Sequence, residues 1–545
     1  VTAETTMPGT PWWKTAVIYQ IAVSSFADSD GDGRGDIRGI IERLDHLRGA
    51  PGSLGVDAIW LTPVNRSPLR DFGYDVSDYR SIEPRFGTLA DFRELVDACH
   101  ARGLHVIMDL VLNHTSDEHP WFTASRSSRD DPRRGWYVWR DGRAPGKPPN
   151  RWRAVVEGSA WEHDARTGQY YYHAFLPFQP DLDWRNSDVR DEMLDVARSW
   201  LEFGVDGFRL DLINHLYEDE RLRDNPRKPG TRPYLAQRHL HDHSQPESLE
   251  VACRLRALAD AYGERVLLGE VFSDDPHDCL AYLGDGNDRL HLSFYLDFVG
   301  QRWRARGFRD SVDWLEERLP GATWPCYYLD NHDVPRSISR LGGGRNALPR
   351  ARVAAAMLLT LRGTPIVYYG QELGMPQSVV PRAALDDPVG RKFWPLRVGR
   401  DGCRTPMQWT SEPGAGFTSG TPWLPVGPSA GTRTVAAEGP DPDSLLSWYR
   451  DLIALRSATP ALQVGGYRAL PGMPRDVFAF ERMLADQRIV VLLNFGRRTR
   501  QCDLPDSRSP KTLLSTEGPV GALAPLARYE ARVIDAGSYE RRDGA

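Results

Sequence analysis

Three short strings in this chain put a carboxylate at the exit of an apolar run: GFRLD (207–211), GEVF (269–272) and LDNHD (329–333). The runs that lead into them, VDGFRLD, RVLLGE and CYYLDNHD, are strand-like, so Asp211, Glu270 and Asp333 stand just past strand ends. A pair of carboxyl groups can cleave an acetal: one attacks or stabilises the anomeric carbon, and the other protonates the leaving oxygen. Asp211 and Glu270 can form that pair, with Asp333 as a third charge. Arg209 lies two residues before Asp211, so on a strand both side chains point to one side and the guanidinium can keep Asp211 ionised.

The elements that must position these groups repeat along the chain. Apolar, β-rich stretches occur at 16–23, 56–64, 104–112, 205–213, 265–272, 290–296, 326–330 and 364–370. Helical patterns separate most of them. The spacing predicts a helix over 89–103 stopped by Gly103, and another over 187–204 opened by Ser187 as N-cap and closed by Gly204. Eight strands alternating with helices predict an α/β fold, a (β/α)₈ barrel, in which residues past the strand ends gather at one rim. A doubly wound sheet would place a glycine-rich phosphate loop after the first strand, where this chain has SFADSDGDGRGD. The β/α rhythm lapses over 114–184, expected to be an irregular insertion after strand three. After about residue 465 the pattern alternates, as in VFAFERM and RIVVLLNF, which predicts an antiparallel β domain. The expected domains are a barrel over 1–113 and 185–464, the insertion over 114–184, and a C-terminal β-sandwich over 465–545. Segment 410–440, rich in Gly, Pro, Ser and Thr, reads as a surface loop.

Composition narrows the function classes. The 545 residues suffice for a large domain with smaller ones beside it. A net charge of −6 and the lack of any Lys/Arg block give nucleic-acid binding no electrostatic support. The six cysteines are scattered without CxxC or metal-ligand spacing, which predicts reduced thiols in a cytoplasmic protein. No signal-peptide pattern is visible at the start, and the longest apolar run, near 353–361, is too short to span a bilayer, so no membrane partner is expected. The carboxylates of DSDGDGRGD (28–36) alternate around glycines, a pattern suited to a hard cation; position twelve is Gly39, not the Glu of an EF-hand.

With DLVLNH (109–114), QPDLDW (179–184) and GRDGCRTPMQW (399–409) added to the three strings, the chain resembles the α-glucosidase-type members of the α-amylase superfamily, glycoside hydrolase family 13, over nearly its whole length. The resemblance implies a retaining, exo-acting α-glucosidase that removes terminal non-reducing α-linked glucose from short oligosaccharides or glucosides, with transglucosylation. Asp211 would be the nucleophile that forms a covalent β-glucosyl intermediate, Glu270 the acid and then the base, and Asp333 a grip on ring hydroxyls. His114 and His332 would bind the same sugar, and Arg209 would hold Asp211. Asp71 and Arg404 would pair across the site and close it beyond one sugar, Tyr74 would stack on the glucose, and Phe175 and Gln179 would line the pocket. A structural Ca²⁺ or Mg²⁺ would be held by Asp28, Asp30, Asp32 and Asp36 with the Arg34 carbonyl. The partner would be a small α-glucoside, and the protein a monomer or homodimer.

Other features depart from the family pattern. Leu212 follows the nucleophile where Val, Ala or Thr is usual, Asp183 replaces a commoner Asn, IAVSSF (21–26) replaces a frequent YPRSF, and Phe272 follows GEV. These leave linkage preference open. A transglucosidase, a sugar isomerase or a sucrose-splitting enzyme could use the same catalytic residues. A non-catalytic binding relative would be expected to have lost a carboxylate, and this chain keeps all three.

Overall fold

A computed structural model describes residues 9–156, 158–273, 275–342, 344–504 and 509–537. Eight parallel strands form a nearly closed barrel: β1 (Ile18–Ile21), β2 (Ala58–Leu61), β3 (His105–Val111), β4 (Gly207–Asp211), β5 (Val266–Gly269), β6 (Leu292–Ser293), β7 (Cys326–Tyr328) and β8 (Thr364–Tyr368). Each pairs with its neighbours in sequence, β8 closes on β1, and the one open seam lies between β6 and β7. The expected α/β barrel is therefore the fold.

Strand alternation divides these residues between two faces. Ile18, Ala58, Trp60, Ile107, Val266, Leu268, Cys326, Tyr328 and Ile366 fill the barrel interior as one apolar cluster. Tyr19, Ile59, Met108, Phe208, Leu210 and Leu267 face outward into the helix layer. Counting in twos from the interior residues reaches Asp109 on β3, Arg209 and Asp211 on β4 and Glu270 just past β5. The same parity that builds the core thus delivers the polar groups to the inner rim.

Helix α1 (Leu89–His100) starts from a capping box in which Thr88 and Asp91 satisfy each other's backbone N–H. It buries Phe92, Leu95, Val96 and Cys99, which share one face at helical spacing. Helix α2 (Ser187–Phe203) is capped by the Asn186 side chain, which accepts from Asp188 N, so Ser187 is the first helical residue rather than the cap. Gly204 ends it with φ +113°, in the left-handed region.

Within the expected insertion, Trp139–Arg140, Trp161–Asp164 and Gln169–Tyr172 form a small antiparallel sheet over an aromatic cluster containing Trp152, Trp161 and Tyr172. A bridge between His114 and Asp181 ties it back to the barrel rim. Segment 410–440 is mostly irregular, as expected, with short helical turns at Pro413–Gly416 and Val435–Glu438.

The C-terminal strands β9 (Gly466–Ala469), β10 (Val477–Leu484), β11 (Gln487–Asn494), β12 (Lys511–Ser515) and β13 (Ala531–Asp535) make one antiparallel sheet ordered β9-β10-β11-β13-β12. The expected sandwich is thus corrected to a single sheet among the described residues. Its second layer is helical: Phe478, Phe480, Val491 and Val533 belong to the main core with the barrel helices α3 (Ala305–Arg318) and α4 (Ala347–Thr360). Two buried arginines fasten this junction. Arg482 on β10 donates to the carbonyl of Thr360, and Arg456 on helix α5 (Leu445–Ala458) donates to those of Leu359, Leu361 and Gly363. No helix among the described residues is long and apolar enough to cross a membrane, and the six cysteines are unpaired.

Candidate active site

The barrel rim opens into a cavity of about 490 Å³. Asp211, Glu270 and Asp333 all line it, together with Asp71, Tyr74, His114, Phe175 and Gln179. Of the sugar-site residues expected from the sequence, Arg209, His332 and Arg404 lie behind this lining rather than in it.

Arg209 is the hub. It is fully buried, and Nη1 donates to Asp211 Oδ1 at 2.5 Å and to Asp109 Oδ1 at 2.9 Å, while Nη2 donates to Glu270. One guanidinium therefore faces three carboxylates in a low-dielectric site. Burial pushes the pKa of Glu270 up; Arg209 opposes this, while the charges of Asp211 and Asp333 add to the rise. Burial also raises Asp211, with Arg209 again opposing. A single cation cannot balance three carboxylates, so the group favours retaining a proton, and the neighbouring charges of Asp211 and Asp333 raise Glu270.

Asp333 sits in the opposite electrostatic setting. Burial opposes its charge, but His332 when protonated and the permanent charges of Arg400 and Arg404 outweigh that and hold it well below the usual carboxylate range. Its Oδ1 accepts from Arg404 Nη2 at 2.9 Å and from Arg400 Nη1 at 3.3 Å. Asn331 Oδ1 takes the N–H groups of Asp333 and Val334, which fixes the turn that presents the carboxylate.

The two histidines are kept neutral by burial, His114 at about 4 and His332 at about 3. His332 stacks on Tyr74 with ring centroids 5.3 Å apart, and its Nε2 lies 2.7 Å from the Tyr74 hydroxyl. That hydroxyl in turn donates to Asp109 Oδ2 at 2.9 Å. The Asn113 amide is fixed by donating to Asp181 and the His215 carbonyl, which leaves its Oδ1 to accept from His114 Nδ1.

The expected pair of Asp71 with Arg404 is corrected by the structure. Arg400, four residues earlier, reaches Asp71 Oδ1, and Gln179 Nε2 donates to Asp71 Oδ2 at 3.0 Å. Arg404 instead folds beneath the loop, donates to the His332 carbonyl and packs its guanidinium on the Phe72 ring. Asp387 locks Arg400 from behind, accepting from its backbone N–H and side chain. Arg400, Asp109 and Asp387 were not singled out from the sequence. Asp109 had a signal: a lone acid in an apolar strand, at the interior parity of Ile107.

Two backbone features shape the rim. Leu212, directly after Asp211, has φ +46° and ψ +45°, a left-handed conformation that is unfavourable for a branched side chain. It turns the chain sharply and puts Leu212 into the cavity wall beside Phe272. Gly269, just before Glu270, leaves room for Leu290, whose Cδ1 would lie 2.2 Å from any added Cβ.

In the candidate cation loop, carboxylates of Asp28, Asp30 and Asp36 come within 4.8 Å of one another. Asp32 stands outside this group, its Oδ1 accepting from Arg34 N at 2.7 Å. Asp36 also caps the following helix through Gly39 N. This clustered oxygen set suits a hard cation.

A profile of the alpha amylase catalytic domain matches residues 20–465. A probable alpha-glucosidase of Rhizobium meliloti is 42% identical over 516 residues, covering 92% of each chain. An oligo-1,6-glucosidase of Parageobacillus thermoglucosidasius is 38% identical over 97% of this chain and 99% of its own. Among solved structures, an alpha-glucosyl transfer enzyme superposes with TM-score 0.91 at 42% identity, over 96% of this chain and all of the other. A trehalulose synthase superposes with TM-score 0.88 at 34% identity over 96% of this chain. On the strength of the barrel, its rim of carboxylates and these likenesses, the chain belongs to the alpha-amylase family of glycoside hydrolases.

Proposed function

We propose that this protein is a retaining, exo-acting α-glucosidase working on short α-glucosides. The observation that carries the reading is the bridge of Arg400 and Gln179 onto Asp71 in the cavity wall. We take this bridge as the stop that admits one terminal sugar and blocks a threaded chain. Asp211 attacks the anomeric carbon, and Glu270 donates its proton to the departing oxygen; Glu270 then takes a proton from the incoming water. Arg209 donates to both groups and so holds them at one point of the rim. Asp333, held ionised, accepts hydrogen bonds from ring hydroxyls.

A second reading, transfer to an acceptor other than water, has its own support. The cavity is also lined by Val155, Val156, Phe272 and Val398, apolar residues that favour an organic acceptor over a lone water. Transglucosylation is therefore proposed as a companion activity. We further assign Ca²⁺ or Mg²⁺ to Asp28, Asp30 and Asp36 with the Arg34 carbonyl, a cytoplasmic location from the six unpaired cysteines, and a monomer or homodimer.

The test is proton NMR of the first product from maltose, isomaltose, sucrose and trehalose, with and without an added alcohol. Release of α-glucose before mutarotation, with Asp211→Asn lowering turnover by at least ~10³-fold, is expected. β-Glucose as first product, or cleavage of oligosaccharides whose non-reducing end is blocked, would overturn the reading.

A further inference from the structure

We propose that His239, Asp242 and His243 form a binding site for a single divalent transition-metal ion of the zinc class. All three lie on the loop that follows β4 and runs to Pro246, away from the Asp28 loop. One ligand atom from each falls within 4.8 Å of the others. Asp242 and His243 are buried and His239 is partly so. Two imidazoles with one carboxylate are a borderline-soft donor set that selects zinc-like ions over Ca²⁺ or Mg²⁺.

The surrounding hydrogen bonds orient both rings as metal ligands are oriented. His239 Nε2 is 2.9 Å from the Tyr234 carbonyl, so the proton is drawn to that nitrogen. Nδ1 then faces Asp242 Oδ2 at 2.8 Å. A backbone carbonyl on the far nitrogen is the usual outer partner of a ligating histidine. For His243, Ser244 Oγ donates to Asp278 Oδ2 at 2.9 Å and so accepts from His243 Nδ1, also at 2.9 Å. These bonds fix the orientation of the His243 ring. The acid itself is buried: Asp242 is 4% exposed and lies beside the Asn225 amide.

The geometry needs one adjustment. Metal bonds of about 2.0–2.2 Å to nitrogen and oxygen in a tetrahedral site place those ligand atoms roughly 3.3 Å apart, so the His239–Asp242 contact must open by about half an ångström. The alternative occupant of the same space is a proton, making His239 and Asp242 a plain ion pair.

Occupancy would reach the catalytic cavity. Ser244 Oγ also accepts from Asn214 Nδ2 at 3.1 Å, and Asn214 holds both the N–H and the carbonyl of Phe272. His215, whose two nitrogens are buried without partners, lies between the His243 ring at 4.7 Å and the Phe175 ring at 5.3 Å. A metal at His243 would thus brace two aromatic walls of the acceptor side.

The test uses the untagged full-length protein, stripped with a chelator and then saturated with Ca²⁺ to fill the hard-cation loop. After equilibration with Zn²⁺ and desalting, zinc is counted by mass spectrometry, and X-ray absorption reads its ligands. About one zinc per chain with nitrogen and oxygen at ~2.0–2.1 Å is expected, together with a Tm raised by Zn²⁺. His243→Gln and Asp242→Asn should lose both the metal and the Tm response. If Asp242→Asn fails to fold, His243→Gln decides alone, since His243 lies outside the catalytic machinery. Absence of stoichiometric zinc in the wild type, or zinc retained by the variants, overturns the proposal.

Discussion

Arg400 bridges Asp71 and Asp333 in the wall of the cavity, so two carboxylates of the candidate site share one cation. The bridge couples the length of the cavity to the charge inside it. Removing Arg400 leaves Asp71 buried beside Gln179 alone. Uncompensated buried charge costs about 3–5 kcal/mol when one partner of a pair is deleted. Arg400→Ala should therefore lower kcat/KM for terminal glucosides by ~10²-fold or more, and Arg400→Lys should recover only part, because one ammonium cannot serve Asp71, Asp333 and Asp387 together. Steady-state kinetics on one disaccharide decide it; an unchanged kcat/KM in Arg400→Ala would remove Arg400 from the site.

The raised pKa of Glu270 sets an expected pH profile. Glu270 must carry a proton to act as the acid, and burial with the neighbouring charges of Asp211 and Asp333 extends the protonated form upward in pH. The alkaline limb of kcat/KM for disaccharides should then lie above the ordinary glutamate range. Glucosyl fluoride needs no leaving-group proton, so Glu270→Gln should still be glucosylated by it, with the alkaline limb gone. A limb that persists in Glu270→Gln would assign the acid elsewhere.

In the candidate cation loop, the three converging carboxylates predict an uneven mutational pattern. Chelation should lower Tm, and added Ca²⁺ should restore it in the wild type. Asp28→Ala should abolish that response, and Asp36→Ala should cost more, because it also removes a helix cap worth about 1 kcal/mol. Asp32→Ala, outside the cluster, should respond to Ca²⁺ as the wild type does. Calorimetry with and without chelator reads all four proteins.

Glu438 offers a stability test away from the site. It is buried, and its pKa is pushed up to about 7 by desolvation against the pull of the Leu446 N–H and Arg433. An acid whose folded pKa exceeds its unfolded value binds more protons when folded, so stability falls as pH rises from about 4.5 towards 7. Glu438→Gln keeps an acceptor for Leu446 N and removes the charge. Its Tm should exceed that of the wild type at pH 8 and match it near pH 4, as thermal scans at the two pH values would reveal.

The rim carboxylates were legible because strand alternation and strand exits are local properties of sequence. Asp211 and Glu270 follow from the interior parity of β4 and β5, and the barrel follows from eight repeats of one rhythm. The choice between Arg400 and Arg404 was not local. Both flank the turn Asp401–Cys403, and the backbone there sends one guanidinium outward to Asp71 and the other back under the His332 carbonyl. Asp71 and Arg400 are far apart in sequence, and no spacing rule relates them. The single C-terminal sheet escaped for a similar reason: alternating strands look alike whether a second sheet or a helix layer covers them. Ser187 and Asn186 are both good caps, and only the side-chain bond to Asp188 N distinguishes them.

The arginines at the C-terminal junction bear on how the chain is made. The carbonyls of Leu359, Thr360, Leu361 and Gly363 belong to the corner that leads into β8, the last strand of the barrel. Their donors, Arg456 and Arg482, come about a hundred residues later. On the ribosome, the corner must wait with those oxygens in water until the tail has emerged. A fragment ending at residue 465 would keep Arg456 but lose Arg482 and the sheet beneath it, leaving the Thr360 carbonyl without that donor. The corner before the last barrel strand is thus finished by a strand that lies outside the barrel.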